Sequence, residues 1–138
     1  MASDEVILDW SDLEALVPGP FVPGPDYEPE TDILDVYLAD EAQWAEYLDS
    51  RLGIKRSVET NAVTGCVVHS VRRRLLPIIR TLALDGDDGA ITVKAVLLAA
   101  VMAAADEDGR TGASRRSYVE ALAPICRAVG SMTVDLGG

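Results

Sequence analysis

Few residues in this sequence have the type and spacing that catalysis or metal binding requires. Cys66 and His69 stand three positions apart, which on a helix places a thiol and an imidazole on one face. A zinc site needs three or four ligands, and with a single histidine in the chain Cys126 is the one residue left to join the pair. We therefore expect no metal site and no thiol nucleophile, and interpret both cysteines as reduced thiols on buried helix faces.

Two acidic segments that contain glycine invite a calcium-binding interpretation, but their spacing does not support it. In the register that puts Gly89 at the sixth position of a calcium loop, Leu84 and Ala95 fall where oxygen ligands are required. Counted from Asp106, the second segment puts Arg110 at the fifth position, which also needs an oxygen. Both segments are typical of turns, so the sequence predicts no catalytic residue, no cofactor and no bound metal.

Charge is distributed unevenly along the chain, whose formal net charge is −11. Residues 1–50 contain 14 acidic residues and no Lys or Arg, so the rest of the chain carries all 12 basic residues against 9 acidic ones. Binding of nucleic acid through the acidic front is excluded, because neutralising phosphates requires Lys and Arg. The asymmetry suggests that the front faces a basic partner or repels an anionic one.

One basic cluster interrupts this pattern, and it allows three interpretations. It is a solvated helix face, a docking surface for carboxylates such as the acidic front of a neighbouring copy, or, less favoured in so acidic a chain, a contact for DNA phosphates. The candidate docking residues are the four arginines together with two aromatic residues of the front: Arg72, Arg73, Arg74, Arg80, Trp10 and Phe21.

The elements that would position these residues read as helices, and the predicted fold is all-α, a small helical bundle. Residues 90–105 are apolar almost all round and predict a central helix that is covered on most sides, capped by Asp88 or Thr92. The other predicted helices are 40–53 with Gly53 as its last residue, 57–82 with a kink at Pro77, and 114–130. Residues 33–38 fit a strand or a helix start equally well.

The ends of the chain are predicted to lie outside the bundle. Residues 1–30 form an acidic arm, with one helical turn at 11–14 and a Pro/Gly-rich linker or wrapping segment at 17–30, where four prolines within residues 18–25 disfavour helix and sheet alike. The bundle spans 31–130, and residues 131–138 form a mobile tail with Met132, Val134 and Leu136 as apolar anchors. The longest uncharged apolar run is far too short to span a membrane.

Read as a whole, the pattern resembles the head-to-tail connector (adaptor) proteins of long-tailed bacteriophages. Three features carry the resemblance: the segment 40–53, the arginine-bearing segment 58–82, and the alanine-rich helix 93–105 with the charged glycine loop 106–112. The family implies a non-catalytic virion protein of the head-tail junction, assembled in the host cytoplasm. Its homo-oligomeric ring docks on the portal protein and a downstream connector or tail protein, and DNA passes through without specific binding.

The resemblance also implies a role for the C-terminal tail, which the portal would order through Met132, Val134 and Leu136. Two alternatives stay open. One is an acidic inhibitor or immunity-type protein that binds a basic protein, which the charge of residues 1–50 supports. The other is a small helical regulator that binds a partner helix in a groove.

Overall fold

A computed structural model describes residues 21–86, 89–108 and 112–137 of the chain. Trp10, the predicted helical turn at 11–14 and Asp88 lie outside these ranges. The described chain forms a five-stranded antiparallel sheet with helices packed on one face, so the predicted all-α bundle is wrong.

The sheet is built from the first half of the described chain. Its strands are β1 (Gly24–Glu28), β2 (Ile33–Tyr37), β3 (Gln43–Tyr47), β4 (Leu52–Ser57) and β5 (Val63–His69). Their order across the sheet is β1-β2-β5-β4-β3, which leaves β1 and β3 at the edges. The sequence allowed a strand or a helix start for residues 33–38, and the structure has a strand there, β2.

Alternation along the three central strands divides the sheet into a core face and an open face. Pairs such as Leu34 with Val68 and Ile54 with Cys66 lie opposite each other on the core face and are fully buried. The next residues along each strand point to the open face, where Asp35, Lys55 and His69 lie.

The helices follow the sheet. A π-helical turn, Val71–Leu75, runs directly into helix α1 (Leu76–Thr81), and the two-residue strand β6 (Ile91–Thr92) leads into α2 (Val93–Asp108). Helix α3 (Gly112–Val129) packs against α2, and strand β7 (Thr133–Val134) then pairs with β6. Thr92 Oγ1 accepts the Ala95 amide at 3.1 Å, which confirms the predicted cap of the central helix.

One hydrophobic core joins the two layers. It combines the core face of β2, β4 and β5 with the inner faces of the π-helical turn and of all three helices. Most of α2 is buried in it, as its sequence requires. Gly130 ends α3 at a φ of 53°, the left-handed conformation predicted for a helix-terminating glycine.

The predicted helix 40–53 is wrong, because these residues form two strands and the turn between them. The Asp49 carboxylate accepts the amides of Arg51 (2.7 Å) and Leu52 (2.8 Å), which closes the turn. Gly53 is a strand residue: a Cβ there would lie 2.9 Å from Val67 Cγ1 and 3.2 Å from the Tyr47 ring. The glycine therefore gives Tyr47 room to cover Val67 from the open face.

The predicted helix 57–82 is correct only over its second half. Residues Val63–His69 are strand β5, in keeping with their β-branched content, and Ser70 at a φ of 60° separates strand from helix. The steps of four between Val63, Val67 and Val71 suggest one helix face, although they join residues of two different elements. Pro77 lies in the first turn of α1, directly after the π-helical turn, a position that tolerates its missing N–H.

The predicted N-terminal arm and mobile tail are wrong in their described parts. Residues Gly24–Glu28 pair with β2 along a sheet edge, the position in which a strand tolerates Pro25. At the other end β7 pairs with β6, and Val134 and Leu136 are buried in the core. The C-terminal tail is therefore part of the folded domain.

Candidate functional site: the outer surface of the helical layer

The fold separates the two residues that the sequence placed together as possible ligands. Cys66 points into the core, whereas His69 lies on the open face of the same strand, where Tyr47 Oη is 2.8 Å from its Nε2. Within the described ranges no three His, Cys, Asp or Glu side chains are grouped closely enough to hold a metal ion.

Both cysteines are free thiols, and their surroundings suppress thiolate formation. Burial raises the pKa of the Cys66 thiol to about 12, and it also raises the pKa of the half-buried Cys126 thiol. Because the thiolate is the nucleophile, neither thiol has the low pKa that marks a reactive cysteine.

The predicted arginine cluster contributes side chains to a cleft and backbone amides to a helix cap. Arg72 and Arg80 line a cleft of about 320 Å³ between α1 and the C-terminal segment. The backbone amides of Arg72 and Arg73 donate to the two carboxylate oxygens of Asp32, at 2.7 and 3.0 Å. Arg72, Arg73, Arg74 and Arg80 are all exposed, but the sequence did not anticipate that the start of their helix is capped by a residue 40 positions away.

The Asp32 cap is reinforced by Tyr27, whose hydroxyl donates to Asp32 Oδ1 at 2.6 Å. Burial alone would raise the pKa of Asp32, but the hydrogen bonds from Tyr27 and from the amides of Arg72 and Arg73 outweigh it and lower the pKa. Burial and the same carboxylate raise the pKa of Tyr27 to about 12. This cluster joins the sheet to the helical layer, so we assign it to stability.

The tail residues predicted to bind a partner contact the chain's own core. Val134 and Leu136 are buried, and Met132 packs against the same core cluster. In this conformation Met132 is partly exposed, and Val134 and Leu136 are almost fully covered. Phe21 is 39% exposed and lines a pocket with Trp44, Tyr37 and Lys55, residues of β2, β3 and β4.

The open face of the sheet carries polar pairs that satisfy each other. Lys55 Nζ lies 2.6 Å from Asp35 Oδ1 and 3.9 Å from the centre of the Tyr37 ring. The ammonium group therefore has both an ion-pair and a cation–π partner. This arrangement accounts for the one lysine of the sheet without requiring a ligand.

The outer surface of the helical layer exposes large aliphatic side chains, whereas the large side chains exposed on strand β3 are the aromatic Trp44 and Tyr47. Leu98 on α2 is 47% exposed and Val119 on α3 is 57% exposed. Between them runs a groove of about 390 Å³, here called the α2–α3 groove, with Leu97, Val101 and Leu122 among its walls. A clustered apolar surface of this kind marks an interaction site more often than isolated exposed leucines do.

The apolar surface continues on the other side of α2. Met102, one helical turn after Leu98, lines a second groove of about 290 Å³ with Ile78 and Leu82 of the α1 region. Leu98 and Met102 thus form a ridge between two grooves. The sequence predicted that α2 is covered on most sides, and this ridge is the side that the described residues leave exposed.

Basic side chains border the α2–α3 groove. Lys94 and Arg127 line it directly, and the exposed Arg116 precedes Val119 by three residues, so it lies on the same side of α3. No carboxylate is among the described residues that line this groove. The groove is therefore apolar at its floor and cationic at its rim.

The two layers of the domain differ in charge. Residues 21–69, which build the sheet, contain ten acidic and three basic residues. By contrast, the helical segments 71–81, 93–108 and 112–129 contain eight basic and four acidic residues. The helical layer thus presents a basic, partly apolar surface on a strongly acidic protein.

Sequence reasoning missed this site because its residues lie at the margins of the predicted helix faces. Val119 is apolar and directly follows the buried Tyr118, but it lies on the groove side of α3. Val119 and Ala123, four residues apart and between Arg116 and Arg127, are the sequence signal that indicates an exposed apolar strip.

Comparison of the chain with protein-family models, with curated proteins and with solved structures finds no match. Among the described helices, none combines the length and hydropathy needed to cross a membrane.

Proposed function

We propose that this chain is a non-catalytic docking protein whose α2–α3 groove binds an acidic amphipathic helix of a protein partner. The observation that carries the proposal is the juxtaposition of exposed Leu98 and Val119 with Lys94 and Arg127 around one open groove. A helix seats its apolar side chains in such a groove through positions spaced by three and four residues.

The rim charges select the kind of helix. Lys94 and Arg127 attract carboxylates that flank the apolar face of a bound helix and disfavour basic amphipathic helices. The volume of about 390 Å³ is in the range of roughly 300–1,000 Å³ that is usual for binding pockets. The titratable side chains in the lining are Lys94, Arg127 and Cys126, and burial raises the pKa of the Cys126 thiol, which disfavours its thiolate, so docking fits the groove better than catalysis.

Binding of a designed acidic peptide tests the proposal. The probe is a fluorescein-labelled 18-residue helix with Leu at steps of three and four and Glu elsewhere, and its affinity is followed by fluorescence anisotropy. Double substitution of the exposed groove residues, Leu98→Gln with Val119→Gln, is expected to weaken binding at least about ten-fold. Charge reversal by Lys94→Glu with Arg127→Glu is expected to weaken binding and to abolish most of its salt dependence.

Two matched variants serve as controls. Val58→Gln replaces a valine that is 61% exposed in the turn between β4 and β5, and Arg80→Glu reverses a cation of the helical layer outside the groove. Both are expected to bind the probe like the unmodified chain. Equal affinity of the groove variants and the controls, or no binding of the probe at all, would refute the proposal.

The head-to-tail connector function remains a prediction of the resemblance. Of its three features, residues 40–53 and the first part of 58–82 form strands, so they no longer support it as helices. A connector also acts by docking on other proteins, and the groove variants provide its test in portal binding. The alternative of an acidic inhibitor would use the acidic sheet layer, so its binding should be insensitive to the groove substitutions.

A further inference from the structure

We infer that the occupant of the α2–α3 groove is the N-terminal segment, residues 4–17, of a second copy of this chain. The inference rests on the proposed docking function and names its partner. It follows from the sequence of the segment, from charge complementarity, and from the place at which the segment joins the described fold.

The segment has the sequence of an acidic amphipathic helix. Val6, Trp10, Leu13 and Val17 follow one another at steps of four, three and four, the spacing of one helix face. Residues 1–20 also carry five carboxylates and no Lys or Arg. This combination of an apolar stripe and flanking carboxylates is the chemistry that the groove and its basic rim would bind.

The segment joins the described fold at Phe21, on the opposite side of the domain from the groove. The described chain begins at Phe21, which lines a pocket with Tyr37, Ala45 and Lys55, side chains of the open face of the sheet. The helices cover the opposite face, and the groove lies on their outer surface.

The reach of the chain is short compared with this separation. The four residues from Val17 to Phe21 span at most about 14 Å when fully extended. A helical layer alone is about 10–12 Å thick, and the chain would also have to pass around the sheet edge. The segment is therefore better placed to bind the groove of a second copy.

A segment on one side of the domain and a groove on the other make a heterologous, head-to-tail contact. Such contacts generate closed rings or open chains of subunits, depending on the rotation between neighbours. Each copy would use its groove for one neighbour and its segment for the next, so a copy with either element disabled can take part in one contact only.

Complementation between two full-length variants tests this geometry. The first carries Trp10→Asp with Leu13→Asp in the segment, and the second carries Leu98→Gln with Val119→Gln in the groove. We expect the unmodified chain to form species larger than a monomer by light scattering and each variant alone to be monomeric. An equimolar mixture of the two should form a 1:1 dimer, because one intact segment meets one intact groove. Leu8→Asp, which lies off the Val6–Trp10 face, is the matched control and should assemble normally.

Each alternative outcome is distinguishable. A monomeric chain whose groove binds the designed acidic peptide but not a peptide of residues 1–20 overturns this inference and leaves the proposed function intact. Failure of both peptides overturns both. If the peptide of residues 1–20 binds only to the Trp10→Asp, Leu13→Asp variant and the unmodified chain is monomeric, the segment occupies its own groove, and the second copy is refuted. Assembly that the groove substitutions do not change also refutes it.

Discussion

Removal of the Asp32 carboxylate should destabilise the domain strongly, because this one side chain joins the sheet to the first helix. It accepts two backbone amides at the start of the π-helical turn, from Arg72 and Arg73, and the hydroxyl of Tyr27. Three substitutions separate its contributions: Asp32→Asn, Asp32→Gly and Asp32→Ala.

The expected magnitudes follow from these contacts. A helix cap contributes about 0.5–2 kcal/mol, and a hydrogen bond to a charged group about 1.5–3 kcal/mol. Asp32→Gly, which removes the carboxylate but accommodates the φ of 57°, should therefore lower the free energy of unfolding by about 2–3 kcal/mol. Asp32→Ala should cost about 1 kcal/mol more, because alanine is strained at that φ. Asp32→Asn keeps the shape and one acceptor, so we expect a loss of about 1–2 kcal/mol.

The effect should depend on pH with a defined sign. The pKa of Asp32 is lowered in the folded state, so its stabilisation is complete above the unfolded pKa of about 3.9. It is lost as the pH falls through the lower folded value. The stability difference between the unmodified chain and Asp32→Asn should be constant from neutral pH down to about pH 5 and shrink below about pH 4. For Tyr27 the raised pKa predicts a loss of stability as the pH rises from 10.0 towards about 12.

Urea unfolding, followed by circular dichroism at several pH values, measures these differences. Tyr27→Phe is the control, because it removes the hydroxyl but leaves the Asp32 cap. It should lower the free energy of unfolding by about 1 kcal/mol. A destabilisation below about 0.5 kcal/mol for Asp32→Gly would refute the role assigned to the carboxylate. A stability difference between the unmodified chain and Asp32→Asn that does not change with pH would refute it as well.

Three further predictions concern strand β5 and the two cysteine thiols. Gly65→Ala should prevent folding or lower the free energy of unfolding by more than about 3 kcal/mol, because a Cβ there would lie 1.9 Å from the Val36 carbonyl oxygen. Soluble yield and urea unfolding measure this effect. Near-native stability would show that the strands separate more easily than we infer. Thr64→Val should stabilise the domain by about 1 kcal/mol in urea unfolding, because the buried Thr64 hydroxyl has no hydrogen-bond partner in the described structure. A loss of stability would indicate that the hydroxyl does have a partner. A thiol reagent at pH 8 should label the half-buried Cys126 well before Cys66, whose labelling should await unfolding; equal rates in mass spectrometry would contradict the burial of Cys66.

The last two helices could be predicted from the sequence because local signals agreed there. The apolar pattern of residues 90–105, the Thr92 cap and the terminating Gly130 all indicate helix, and the structure has helices α2 and α3 at these positions. In these two helices the local signals and the tertiary packing agree, except at Pro124, which lies inside α3 against its local preference.

The sheet could not be recognised by periodicity, because several of its determinants are not local. Val63 and Val67 fit a helix face with Val71, and the deciding fact is the pairing of β5 with β2, some 30 residues earlier. The Gly65 backbone passes so close to Val36 that no other residue fits, yet in the sequence it is one glycine among 11. The candidate site was missed for a related reason, since helix positions predict which side faces a core but not which core neighbours are absent.

The uncovered side of α2 connects the fold to the proposed function. A helix that is apolar all round needs cover on every side, and the sheet, α1 and α3 leave Leu98 and Met102 exposed. In a domain that acts alone, a polar residue at either position would reduce nonspecific association, which exposed leucine and methionine favour. Under the proposed function, the basic residues beside the ridge favour acidic partners, and the net charge of −11 disfavours contacts between other surfaces of two copies. The exposed apolar ridge therefore provides the binding surface in the proposed function, and the basic residues beside it provide the selectivity.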